Sequence, residues 1–239
     1  MEQRKLDCIM IKDFQTYINE GLFDRNQSEF VVRRTDKGIE QIYIPKTKNE
    51  LYSYIELDIE QAKKDGTYPN VNLKNIDVSK LGDDDLKGLF SDKIYAINPD
   101  ISNWNIEYIP SKFFDGNKKI KEFTIPNIVT SIKYSAFHDC SGLTSVEIPN
   151  SVTSIENESF TWCTSLTSIT IPNSVTRIGS YAFFGCVRFT SVVLPNSVTG
   201  IGELAFKGCT SLASVTISKH CNTWLNSFPE NCKIIRRDD

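Results

Sequence analysis

Five cysteines stand at one interval, since Cys140, Cys163, Cys186, Cys209 and Cys232 follow one another every 23 residues. With Cys8 and Cys221 the chain holds seven, and thiols in that number raise three chemistries: a disulfide framework, a metal site and a thiolate nucleophile. The pattern argues against all three. An odd count leaves a thiol over, and no cysteines stand in the CxxC-like pairs that metal sites use. A fixed interval instead puts the five at one repeated position, as small reduced core residues. Pairing of Cys221 with Cys232 remains an open alternative at the end of the chain. His220 beside Cys221 is the one nucleophile-like pair, and nothing nearby marks an orienting carboxylate or an oxyanion pocket. His138 falls at a repeat position held elsewhere by Thr161, Phe184 and Lys207, which reads as a variable, exposed slot. The run Asp83-Asp84-Asp85 lacks the spaced ligands and glycine of a calcium loop and reads as a solvated turn. There is no glycine-rich phosphate loop and no dinucleotide fingerprint. The sequence predicts no enzyme, no cofactor and no metal.

The elements that carry these residues repeat with them. Phe137, Phe160, Phe183 and Phe206 keep the same interval, as do Pro126, Pro149, Pro172 and Pro195, and Ile132, Ile155, Ile178 and Ile201. Units begin at Ile120, Leu143, Leu166, Phe189 and Leu212. In one of them Leu166, Ile169 and Ile171 alternate with Ser168 and Thr170, the pattern of a short strand with one face in the core. Proline ends that strand because it cannot donate to a further ladder bond. Val175 and Ile178 turn inward on the next side, and Ala182-Phe183 with Cys186 bring the chain back. A period of this size means stacked units, each burying its apolar face on the next. The pattern continues upstream in degraded form, with Phe114, Ile109 and Ile106 one period before Phe137, Ile132 and Val129. Leu73, Ile76, Val78, Leu81 and Leu89-Phe90 suggest a still earlier unit. Downstream, Ile235 lies one period after Leu212, and Lys233–Arg236 reads as a last partial strand in an irregular, polar end unit. About seven rungs at roughly 4.8 Å give a stack on the order of 30 Å long.

The unit Leu166-Thr-Ser-Ile-Thr-Ile-Pro-Asn-Ser-Val-Thr-Arg-Ile-Gly-Ser-Tyr-Ala-Phe-Phe-Gly-Cys resembles the BspA-like class of leucine-rich repeat, and residues 120–211 hold four near-complete copies. Asn72-Leu-Lys-Asn-Ile-Asp-Val-Ser through Asp100-Ile-Ser-Asn-Trp-Asn-Ile is similar to the divergent repeat that often accompanies it in bacterial surface lipoproteins. The resemblance implies modules that serve adhesion and protein binding, usually outside the cell.

The fold class expected is α+β: a right-handed leucine-rich-repeat solenoid with a parallel strand ladder, 23-residue repeats and an N-terminal α/β cap. Three segments follow: residues 1–70 as the cap, 71–119 as divergent repeats, and 120–239 as the BspA-like repeats with an irregular C-terminal unit. In the cap, Ile11, Phe14, Ile18 and Leu22 mark one helix, and Phe30–Ile44 reads as two strands about Asp36-Lys-Gly. A second helix is predicted from about Glu50 to Lys64, with Leu51, Tyr54, Ile55, Ile59 and Ala62 inward, Thr47 and Glu50 as a capping box and Gly66 as its stop. A small docking domain is the alternative to a cap.

Of the 239 residues 40% are hydrophobic and 24% charged, with a net charge of −3. Most of the charge precedes residue 120, and the repeat half is neutral and rich in Ser and Thr. No basic stripe is present to neutralise phosphates, so nucleic acid is not expected as the main ligand. No apolar run approaches the roughly 20 residues that span a bilayer, so no membrane insertion is expected. The N-terminus has too short an apolar run for a secretory signal. The expectation is a cytoplasmic or host-intracellular protein, or a cell-surface or secreted one if a leader was removed.

What remains is surface. Stacking writes the outward strand residues into two columns: Glu122, Ser145, Ser168, Ser191, Ser214 and, beside it, Thr124, Glu147, Thr170, Val193, Thr216. A flat, small, hydroxyl-bearing face suits a protein partner. A second patch is marked by departures from the repeat: Trp162 and Phe184 in slots that are polar or glycine elsewhere, Tyr181 and Leu204 where Ser135 and Glu158 stand, and Arg188 in place of Ser or Gly. Aromatic and arginine anchors are what binding hot spots prefer. The sequence therefore predicts a non-catalytic protein-interaction module acting through the strand face, as an intracellular adaptor or inhibitor, or as an adhesin if exported. The alternative is a glycan-binding surface protein. The partner's identity and the oligomeric state stay open.

Overall fold

The structure is a computed structural model that describes residues 29–35, 38–67, 70–74, 76–91, 98–224 and 226–237. The helix expected on Ile11, Phe14, Ile18 and Leu22 lies outside them. Glu29–Thr35 and Gly38–Ile44 pair antiparallel from Thr35↔Gly38 outward, the expected hairpin. The helix Lys48–Asp65 follows. Its start is capped as the sequence implied: the Glu50 N–H donates to Thr47 Oγ1 at 3.2 Å. The Glu50 carboxylate reaches back to the Lys46 N–H at 2.7 Å, and Gly66 closes the last turn at φ 71°. Leu51, Tyr54, Ile55, Ile59 and Ala62 are all buried.

From residue 70 the chain coils into a solenoid with two parallel ladders. The long ladder begins with Asn70–Asn72 on Asn98–Asp100 and continues through Glu122–Thr124, Ser145–Glu147, Ser168–Thr170, Ser191–Val193 and Ser214–Ser218 to Lys233–Arg237. The short ladder stacks two-residue strands: Tyr108–Ile109, Ser131–Ile132, Ser154–Ile155, Arg177–Ile178, Gly200–Ile201 and Asn222–Thr223. Register advances by one period per rung, as in Ile169↔Val192 and Ile178↔Ile201. Turns form the third side. The conserved geometry of each Val-Thr step is explained by its hydroxyl, since Thr153, Thr176 and Thr199 each donate Oγ1 to the carbonyl of the threonine one rung back, at 3.2–3.3 Å.

The core is a set of columns. Phe90, Phe114, Phe137, Phe160, Phe183, Phe206 and Phe228 form a continuous stack with centroids 5.0–5.3 Å apart. Beside it the cysteines act as buried donors. Cys140, Cys163, Cys186 and Cys209 place Sγ 3.1–3.2 Å from the carbonyls of Phe114, Phe137, Phe160 and Phe183. Asn117 occupies the same position in the first of these rungs and donates Nδ2 to the Phe90 carbonyl at 2.8 Å. The column is thus a hydrogen-bonding position that an amide or a thiol can fill.

The last rung departs from the period. Gly200 faces Asn222 and Ser214 faces Lys233, so the chain loses one residue in the short ladder and four in the long one. The last strand expected at Lys233–Arg236 is present as Lys233–Arg237, in a slipped register. Ile235 pairs with Thr216 instead of following Leu212, and Cys232, the last of the cysteine series, is only half-buried. Phe228 keeps its place on the phenylalanine stack, which is the stronger packing demand. Arg236 locks the slipped register by donating Nη1 to the carbonyls of Ser218, Lys219 and Cys221 at 3.0–3.5 Å. This end exposes Lys233 and Arg236 together with Trp224, Ile234 and Ile235. Cys221 and Cys232 are both free thiols.

Candidate functional site

Strand alternation delivers the first predicted surface. Phe123, Val146, Ile169, Val192 and Val215 are buried, and their neighbours on either side point out. Glu122, Ser145, Ser168, Ser191 and Ser214 are exposed in one column, and Thr124, Glu147, Thr170 and Val193 in the next. Thr216 is half-buried. Within the face only a weak cross-rung contact forms, Thr124 Oγ1 to the Glu147 carboxylate at 3.2 Å. Val193 is 69% exposed, a β-branched apolar side chain held in the middle of a hydroxyl face.

The slipped last strand extends both columns in a way the period concealed. Register places Lys233 after Ser214 and Ile235 after Thr216. The face therefore runs from acidic to basic. At one end Asp100, Glu122 and Glu147 line a groove of about 390 Å³. Burial alone would raise the Asp100 carboxyl, but hydrogen bonds from Lys74 and Ser102 outweigh it and hold the group below the usual carboxylate range. At the other end a groove of about 940 Å³ flanks the strands, bordered by Thr170, Val193, Asn150, Asn173, Asn196 and Arg237. Arg237 is braced by Asn196 Oδ1 at 2.6 Å and by the Leu194 carbonyl. The exposed asparagines after each proline were legible as a column at interval 23. Arg237 was not, because the slip decides where it lands.

The second patch brings three rings together. Trp162 packs edge-on to Phe184 with centroids 5.4 Å apart, and Tyr181 lies 5.6 Å from the same ring. Trp162 takes a left-handed backbone at φ 61°, in a column otherwise filled by Gly116, Asp139, Gly185 and Gly208. Tyr181 and Leu204 lie in a second left-handed column, at φ 58° and 56°. Gly185 makes room for the indole, since a Cβ there would sit 2.5 Å from Trp162 Cε3. Leu204 is half-buried one rung on, and Arg188 is exposed.

The chemistry-bearing residues are tied up elsewhere. Burial pushes the Cys140, Cys163 and Cys186 thiols well up, away from thiolate formation. Cys221 is buried in the slot of Val198, and its thiol is raised by burial in spite of Arg236. His138 is not in an open slot: it is half-buried, its Nδ1 2.8 Å from Asp115 one rung back. Asp83–Leu86 form a single helical turn, with Asp85 accepting from the Gly82 N–H. Among the described residues no three His, Cys, Asp or Glu side chains gather as metal ligands. No helix among them is long and apolar enough to cross a membrane.

The repeat geometry has a family counterpart. The sequence matches the BspA type leucine rich repeat region in six copies, over residues 64–150 and 107–236. The chain belongs to that family. Its leucine-rich repeats are of a non-catalytic scaffold type, typically used for protein interaction. Among solved structures, the T. pallidum leucine rich repeat protein is 22% identical and aligns over 89% of this chain and 85% of its own, with a TM-score of 0.47. A leucine rich cell surface protein from Faecalibacterium prausnitzii is 22% identical over 82% of this chain, with a TM-score of 0.49. One from Bacteroides ovatus is 26% identical over 56% of this chain, with a TM-score of 0.42. The chain spans 40% and 42% of the lengths of those last two. No curated protein matches it.

Proposed function

We propose that the protein is a non-catalytic module that binds a protein partner across the face of its long ladder. The observation that carries this reading is the face itself. Small hydroxyl side chains in register form a flat surface that loses little side-chain entropy on binding. Val193 and Ile235 supply apolar anchors, and opposite charges at its two ends fix the orientation of a partner. Six rungs, Glu122–Thr124 to Lys233–Arg237, span roughly 25 Å at about 4.8 Å each, enough for a standard interface. The family's general use of leucine-rich repeats for protein interaction supports the same conclusion. The role that fits this reading inside a cell is an adaptor or inhibitor. In a protein that is exported it is adhesion. The aromatic cluster of Trp162, Tyr181 and Phe184 serves as a secondary contact.

Affinity capture from the native cell, followed by mass spectrometry, identifies the partner. Capture is then repeated with Ser168→Lys/Thr170→Lys and with Trp162→Ala/Phe184→Ala. The charged pair abolishes capture while leaving the melting temperature unchanged, because both positions are exposed. Retention of the partner by the charged variant, with its loss from the aromatic variant, moves the main site to the second patch and overturns the reading.

A further inference from the structure

We propose that a second site, on the short ladder and away from the strand face, takes an acidic pyranose such as a hexuronic acid residue of a glycan. Arg177, Gly200 and Asn222 are successive members of one outward column. Trp224 stands in the neighbouring column, one rung beyond Gly202: the Gly202 N–H bonds to the Ile178 carbonyl, and the Trp224 N–H to that of Ile201. Together they line a groove of about 410 Å³, the size range of small-ligand sites. Its floor is Gly200, where a Cβ would meet nothing within 4 Å. Every other rung of this column carries a side chain, so the groove exists because this one does not.

What surrounds the vacancy has the chemistry of a sugar site. Trp224 is 70% exposed, a flat apolar ring of the kind that stacks on the C–H face of a pyranose while its N–H stays available for a hydrogen bond. Thr199 Oγ1 donates to the Thr176 carbonyl at 3.3 Å, which leaves its lone pairs to accept from hydroxyls. The Asn222 amide offers both a donor and an acceptor. Among the described residues Arg177 makes no ion pair and no hydrogen bond from its side chain. The carboxylate nearest it along the ladder, Glu156, is engaged by Lys133 at 2.9 Å and by Ser131 at 3.0 Å. A guanidinium across the groove from an aromatic platform asks for a planar anion, and a carboxylate accepts its fork in two parallel bonds. A pyranose has a flat C–H face to lay on the indole and an acidic peptide has none, which favours a uronic acid.

The test titrates the full chain with three probes, following tryptophan fluorescence and calorimetric heat: methyl glucuronide, methyl glucoside and a capped tetraglutamate. Glucuronide saturates, and glucoside binds about tenfold or more weakly, because the charge-assisted pair is missing. Trp224→Ala removes both responses. Arg177→Gln brings the two sugars to the same affinity. Gly200→Val fills the groove and eliminates binding with no loss of melting temperature, since its added atoms enter open space in a strand. Saturation by neither sugar, tetraglutamate binding as tightly as glucuronide, or a response that survives Trp224→Ala overturns the proposal. None of these variants touches the long ladder, so partner capture through that face is unchanged by either result.

Discussion

Left-handed residues show how much local strain the coil tolerates for the sake of its surface. A non-glycine side chain at positive φ costs on the order of 1 kcal/mol, and Trp162 accepts that cost in a column where glycine recurs. Trp162→Gly therefore changes stability by no more than about 1 kcal/mol, strain relief offsetting the lost ring contact, whereas Phe160→Ala in the stack costs about 3–5 kcal/mol. Gly185→Ala is destabilising for two reasons, its φ of 72° and the indole 2.5 Å away. In the Trp162→Gly background only the backbone term remains, so urea unfolding of the four variants shows the double substitution costing less than the sum of the two singles. One titrating residue also sets a pH dependence. Burial pushes the Asp58 carboxyl up from 3.8 to about 7. The folded chain holds this proton more tightly than the unfolded chain, so between those values stability falls as pH rises, and the loss is complete above pH 7. Asp58→Asn removes that slope and raises stability at pH 8 by on the order of 1–3 kcal/mol, read from urea midpoints across the pH range.

Whole rungs were legible because packing demands the period directly. Phenylalanine must stack on phenylalanine, the small donor must reach the carbonyl beside it, and proline must end the strand. The columns of Phe137, Cys140 and Pro126 therefore locate the inward and outward strand residues from Glu122 to Val193 without coordinates, though not His138, which Asp115 one rung back draws in. The last rung was not legible, since its register is decided by contacts that carry no period. Phe228 keeps the stack, Arg236 holds three carbonyls, and the residues lost between them move Lys233, Ile235 and Arg237 onto the strand face. The same shortening hid Trp224, which aligns with Gly202 at 22 residues. Cysteine chemistry tests this difference between rungs. Under native conditions a thiol reagent labels half-buried Cys232 well before Cys140, Cys163, Cys186 or Cys209, which react only as fast as the protein opens. Peptide mapping at increasing times reads the order. Early modification of the four would remove them from the core column.

At the scale of the molecule the structure is a one-dimensional stack in which each rung is held by its two neighbours, and this gives position along the stack an energetic meaning. A lesion in the middle breaks contacts on both sides and separates the coil into two shorter pieces. At the end it costs one interface. Phe160 lies between Phe137 and Phe183, with centroids 5.0 and 5.3 Å away, whereas Phe228 ends the stack with Phe206 alone. The two substitutions to alanine delete the same ring from the same column, so composition and chemistry cancel in the comparison. Phe228→Ala lets the Asn222–Arg237 region open locally while Val129 to Cys209 keep their protection, because that rung has a neighbour on one side only and Phe228 is its one ring on the stack. Phe160→Ala raises amide exchange on both sides of the lesion at once and lowers the melting temperature by more. Hydrogen exchange resolved by peptide distinguishes the outcomes. Equal and global loss of protection in both variants would mean that the coil unfolds as a single indivisible unit, and that its end rung is as firmly joined as its centre.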